Sequence, residues 1–166
     1  PYELLQGDYS SRYGNTIPLR FWYLKGNKAK AEGLFAELTP MLDFFEEMIG
    51  PFPFAGEKVG VVETPHLGME HQSAIAYGNH YLNGYLGSDL SGTGWGLKWD
   101  YVIVHESGHE WFGNSITTAD IADMWVHEGF TDYAETIYTQ CRFGDAAGDD
   151  YVIGVRKNIE NDIPII

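Results

Sequence analysis

Six histidines, 24 carboxylates and one cysteine are the side chains of this 166-residue chain that could do more than pack. One group of them has a telling spacing. His105-Glu106-Ser107-Gly108-His109 reads H-E-x-x-H within a segment whose apolar pattern predicts a helix over 98–112. Residues i and i+4 project from one helix face, so both imidazoles can reach a single ion at about 2.0–2.1 Å. Glu106 sits beside the same face, next to where a reacting water would lie. After eighteen intervening residues comes Glu128, within Trp125-Val126-His127-Glu128-Gly129-Phe130 on a second predicted helix, 120–140. If that helix runs back antiparallel, Glu128 returns to the histidines. Two imidazoles and a carboxylate make a zinc set with a fourth position left open for water. Calcium or magnesium would want more oxygens and no imidazole.

The remaining candidates rank below these. Neighbours on a helix point about 100° apart, so His127 beside Glu128 reads as structural. His66 and His80 fall in predicted loops and carry no assigned role. A metal-bound imidazole normally donates its second N–H to an acceptor, and Asp132 and Glu135, one and two turns beyond Glu128, are the natural partners. Cys141 has no His–Asp pair around it and reads as a small buried apolar residue.

The elements that must position these groups are legible around them. Residues 2–6 and 17–24 read as strands with a turn at Tyr13-Gly14-Asn15. From Lys28 the period becomes helical, through Ala31, Leu34, Leu38, Leu42 and Phe45 to a stop at Gly50-Pro51, with a kink or break expected at Thr39-Pro40. Residues 59–62 and 73–77 are two further short strands, and 84–96 is a Gly- and Ser-rich loop lacking the ending of a phosphate loop. Strands come first and helices later, an α+β order. We divide the chain into a sheet-rich part, 1–97, and a helical part, 98–166. The expected core is Phe21, Leu34, Leu38, Phe45, Val61 and Ile75.

Asp and Glu outnumber Lys and Arg by 24 to 10, for a net charge of −14, which repels nucleic acid and anionic membranes as main partners. No uncharged apolar run is long enough to span a membrane. A single cysteine excludes an internal disulfide framework. Between 100 and 150 there are eleven acids and one base, Arg142, which is the setting a bound cation would have. Neither end shows a signal peptide or a closing helix. Both look cut, and the compartment is left unassigned.

His-Glu-Ser-Gly-His-Glu-Trp-Phe-Gly-Asn (105–114), followed by Trp-Val-His-Glu-Gly-Phe-Thr-Asp-Tyr (125–133), closely resembles the aminopeptidase N and leukotriene A hydrolase family of zinc metallopeptidases, the gluzincins. The resemblance implies a zincin, thermolysin-like catalytic domain: a small mixed sheet packed on zinc-binding helices. It implies one zinc on His105, His109 and Glu128, with Glu106 as general base. The family's Gly-x-Met-Glu-Asn strand is similar to Leu67-Gly68-Met69-Glu70-His71 here, with Leu67 and His71 in place of glycine and asparagine. On that match Glu70 binds the substrate's free ammonium, and Gly68 and Met69 line the site.

The implied reaction is release of N-terminal residues from peptides. Water polarised by zinc attacks the peptide bond and Glu106 handles the protons. The implied partner is a peptide with a free N-terminus. The same resemblance puts an N-terminal β-domain, and a tyrosine that stabilises the intermediate, outside this chain. Tyr133 and Tyr138 lie too close to Glu128 to be that tyrosine. The residues leave open a zinc endopeptidase, an epoxide hydrolase-like enzyme, and an inactive zinc-binding interaction domain.

Overall fold

The computed structural model describes residues 1–160. The stretch 161–166, read above as lacking a closing helix, lies outside them. Strands β1 (Tyr2–Ser10) and β2 (Thr16–Leu24) form an antiparallel hairpin. Its five-residue connection is closed by the Ser11 N–H donating to the Asn15 carbonyl at 2.9 Å. Along β2 alternate residues Ile17, Leu19, Phe21 and Tyr23 are buried, which is the period of a strand with one face on a core. Pro18 lacks a donor but stands outside the parallel ladder to β3, which begins at Leu19.

Helix α1 (Lys28–Met48) then crosses over to β3 (Val59–Glu63), parallel to β2. Next come β4 (Gly68–Met69) and β5 (Ile75–Tyr77), in a five-stranded mixed sheet ordered β1-β2-β3-β5-β4. The two-residue β4 is therefore an edge strand, antiparallel to β5. The helical part is α2 (Tyr101–Gly108), α3 (Trp125–Phe143) and α4 (Asp145–Val155). A mixed sheet with helices confirms the α+β class, and all six expected core residues are buried.

Several boundaries depart from the sequence reading. α1 is not split at Pro40: a buried run of Leu38, Met41, Leu42, Phe44 and Phe45 spans the proline and holds the helix together despite the lost donor. Strand 73–77 starts late, because Ser73 takes φ 58° in a turn closed by Ala74 N–H to the His71 carbonyl. α2 starts at Tyr101 because Asp100 caps it, accepting from the Ile103 N–H, while Trp99 is extended. It ends at Gly108, short of the expected 112. α3 starts at Trp125 rather than 120, after a 3₁₀ turn, Ile121–Asp123, capped by Asp120. α4 was not anticipated, since two glycines and three aspartates hide its period. Gly148 is required there: a Cβ would lie 2.6 Å from Gln140 on α3. Cys141 is exposed, not buried, because the last turn of α3 borders an open groove with Pro40, Phe44 and Met48 of α1.

One buried carboxylate ties the hairpin to α1. Glu46, 1% exposed, accepts from Ser11 Oγ, Tyr9 Oη and the backbone N–H groups of Arg12 and Phe52. Burial alone would raise its pKa, but these donors outweigh it and hold the carboxyl below its ordinary value. Glu46→Ala should therefore cost at least about 1–3 kcal/mol in urea unfolding, since buried donors lose their acceptor. Because the native pKa is depressed, the wild-type advantage should be present near neutrality and shrink as pH falls through the native carboxyl's titration. A loss independent of pH would mean that this carboxylate contributes packing only.

Candidate active site

α1 provides the platform. Phe45 stacks on Trp111 with ring centroids 5.0 Å apart, and the Trp111 indole N–H donates to the Gly50 carbonyl at 3.0 Å. These contacts fix the chain just past α2. His105 lies on the last turn of α2. His109 is one residue beyond its end but keeps helical dihedrals (φ −65°, ψ −17°), so the i, i+4 relation survives the helix terminus. The two Nε2 atoms face each other at 3.1 Å. Glu128, in the first turn of α3, brings Oε2 to 3.4 Å from His105 Nε2 and 3.5 Å from His109 Nε2.

The other ring nitrogens explain that orientation. His105 Nδ1 is 2.7 Å from Glu135 Oε1, and His109 Nδ1 is 2.9 Å from the Phe112 carbonyl oxygen. Both neighbours are acceptors, so each Nδ1 carries the proton and each Nε2 turns a lone pair inward. Two lone pairs and a carboxylate converge on one point, an arrangement that calls for a cation. Ligands of a tetrahedral ion with bonds of about 2.0–2.1 Å sit roughly 3.3–3.4 Å apart, which matches these three separations. The donor set therefore fits zinc. Of the two carboxylates expected behind His105, the buried Glu135 is in contact, while Asp132, largely exposed, stands at 3.6 Å.

The other face of the α2 terminus meets the sheet edge. Carboxylate oxygens of Glu70 and Glu106 and a ring nitrogen of His109 all lie within 4.8 Å of one another. Gly68 of β4 lies so close to Glu106 that a Cβ there would be 2.3 Å from Oε1. Met69 follows, 39% exposed. The turn bearing Glu70 is tied to the residues after His109. Asn114 Nδ2 donates to the Glu70 carbonyl at 2.7 Å, and buried Glu110 accepts the Ser73 N–H at 2.8 Å. Burial pushes the Glu106 carboxyl up to about 7, with Glu70 and Glu128 adding to the rise and the two imidazoles opposing it. A carboxyl in that range suits proton transfer near neutrality.

His127 faces away from Glu128's partners, and its Nε2 accepts the Thr118 N–H at 3.2 Å. Tyr133 is 58% exposed, and the Tyr138 hydroxyl accepts from Arg142 Nη1. Three contacts went unread in the sequence. Tyr101 stacks on His105, Thr131 Oγ1 lies 3.3 Å from His109 Nδ1, and Tyr151 reaches Glu135. Tyr101 was findable, standing four residues before His105 on one helix. Tyr151, sixteen residues beyond Glu135 on another helix, was not.

The same imidazoles also bind protons readily. Burial depresses the His105 imidazole, but Glu128 and Glu135 outweigh it and raise it to about 10, and His109 is also raised. The two imidazoles in turn hold Glu128 well below the carboxylate range. Zinc must displace such protons, so its affinity should climb by about tenfold per pH unit for each proton released. Zinc titrations between about pH 6 and 8 should show that slope, and calorimetry in two buffers should show proton release. A flat profile would exclude these imidazoles as ligands.

Comparison with known proteins identifies the family. The domain model of peptidase family M1 matches residues 35–162. Aminopeptidase Ey of Gallus gallus is 30% identical over 138 residues, covering 78% of this chain and 14% of that protein. Aminopeptidase B of Rattus norvegicus is 47% identical over 45 residues, 27% of this chain and 7% of that protein. An M1 zinc metallopeptidase mutant from Deinococcus radiodurans, solved with a Tyr-Ser-Ala substrate, superposes with a TM-score of 0.72 at 25% identity. That match covers 99% of this chain and 34% of the other. The chain thus spans a small part of the relatives it matches. That family model spans most of the chain, and the chain belongs to peptidase family M1.

Proposed function

We propose that this chain is the zinc-binding part of a thermolysin-like catalytic domain in an aminopeptidase that releases N-terminal residues from peptides. His105, His109 and Glu128 hold the zinc, and Glu135 orients His105 from behind, with Asp132 at its outer side. Residues 98–166 carry the zinc-binding helices, and 1–97 carry the sheet and its amine-binding edge. The observation that carries the reading is the position of Glu70, within 4.8 Å of Glu106 and His109. A carboxylate so near the reacting groups suits a substrate whose free ammonium lies one residue from the cut. An endopeptidase has no use for it there. The names of the M1 relatives and the peptide bound to the Deinococcus enzyme support the same substrate class.

When bound, zinc supplies a Lewis acid that polarises the scissile carbonyl and makes water easier to deprotonate. The chain's own residues do the rest. Glu106, held near neutral titration by burial, accepts the proton of the attacking water and passes it to the leaving amine. Glu70 pairs with the α-ammonium and sets the register of the cut. Gly68 leaves room for Glu106 beside the edge strand, and Met69 lines the pocket for the first side chain. Further domains of the longer protein complete the site.

Glu106→Gln in the intact protein should keep zinc stoichiometry while turnover falls by about 10²–10⁴-fold, the usual cost of losing a proton-transfer group. Turnover near wild type would rule out Glu106 as the base. Glu70→Ala should penalise free-amine substrates far more than N-acetylated ones, by the equivalent of about 1.5–3 kcal/mol in kcat/KM. Equal penalties on both would make Glu70 a structural residue and remove the case for exopeptidase action.

A further inference from the structure

Behind His105 lies a buried polar chain that the hydrolytic steps do not use. Glu135 is 4% exposed, and both of its oxygens are engaged. Oε1 meets His105 Nδ1 at 2.7 Å, and Oε2 accepts the Tyr151 hydroxyl, from α4, at 3.1 Å. Tyr101 lies parallel to the His105 ring, with centroids 5.2 Å apart and planes 16° apart, and its hydroxyl is 3.3 Å from Nδ1. The imidazole is thus held by a stacked ring, a carboxylate, and the tyrosine that fixes that carboxylate.

We propose that Tyr151 is a positioning residue for the metal: it fixes the Glu135 carboxylate, which aims the His105 imidazole, so that helix α4 sets zinc affinity. This rests on the zinc reading above. A carboxylate held at one oxygen only can turn about its last torsion, which is broad and two-fold. Its second oxygen, buried without a donor, would be driven to find one. Either movement takes Oε1 away from Nδ1 and loosens the ring whose Nε2 must point at the ion. Hydrogen-bond partners behind a metal ligand are worth roughly 10–100-fold in affinity, and Tyr151 stands one bond further out.

Tyr138 supplies a matched control. It is as fully buried as Tyr151 and also packs on Trp99, with centroids 5.4 Å apart against 5.8 Å, but its hydroxyl meets Arg142 instead. The test compares wild type, Tyr151→Phe, Tyr138→Phe, Glu135→Gln and the double variant Tyr151→Phe/Glu135→Gln in the intact protein. Zinc dissociation constants come from competition with a chromophoric chelator, geometry from the visible spectrum of the cobalt-substituted protein, and stability from apo melting. Tyr151→Phe should weaken zinc by about tenfold and shift the cobalt bands, whereas Tyr138→Phe should do neither. In the Glu135→Gln background Tyr151→Phe should add little, since both act through one contact. Unchanged zinc affinity in Tyr151→Phe, equal losses in both tyrosine variants, or full additivity would overturn the proposal. A wild-type protein that binds no zinc would overturn the zinc reading itself and this inference with it.

Discussion

Two imidazole nitrogens held 3.1 Å apart with their lone pairs converging are costly to keep until a cation lies between them. Much of the surrounding structure serves to impose that arrangement. The Glu135 carboxylate and the Phe112 carbonyl each hold one Nδ1 proton, so neither ring can flip its tautomer inward without breaking a buried bond. The Phe112 carbonyl is fixed in turn, because the preceding Trp111 is wedged between Phe45 and Phe52 and bonded to the carbonyls of Gly50 and Pro51. A site built this way has little freedom to relax, and lack of freedom is what tight metal binding requires.

The same few residues after α2 serve the substrate side. Glu110, next to His109, is buried and takes the Ser73 N–H, while Asn114 takes hold of the Glu70 carbonyl. The edge of the sheet is thereby fastened to the end of the metal helix rather than merely lying against it. Gly68 completes the join: without a side chain the strand approaches the Glu106 carboxylate more closely than any Cβ would allow. Burial raises the Glu106 carboxyl, and the close approach of this glycine adds to that burial.

As a charge run, the eleven acids of 100–150 read as a largely solvated surface with several members able to surround a cation. The structure divides them. Asp120, Asp123, Asp145, Asp149 and Asp150 are solvated, while Glu106, Glu110 and Glu135 are buried, the last two with hydrogen-bond partners. Burying three carboxylates within one small region is unfavourable unless each meets a donor. Glu110 and Glu135 do so through backbone, imidazole and tyrosine groups, yet burial still raises all three carboxyls, that of Glu106 to about 7.

Local spacing determined what depends on one helix or one strand. The i, i+4 histidines, the glutamate beside them, the alternation along β2 and the apolar stripe of α1 were all legible, because short-range geometry has a period that residue types reveal. The motif Gly68-Met69-Glu70 was readable as a resemblance, though nothing local says what the strand lies against. Tertiary structure decided the rest. It chose Glu135 over Asp132 behind His105, because Glu135 is buried against the core while Asp132, three residues earlier on the same face of α3, lies at its exposed edge. It kept α1 whole across Pro40, exposed Cys141, and brought Tyr151 to Glu135 through a helix whose glycines and aspartates conceal its period. In each case the outcome turned on which neighbour packs against a helix face, and packing depends on residues far apart in the chain, whose proximity no local pattern encodes.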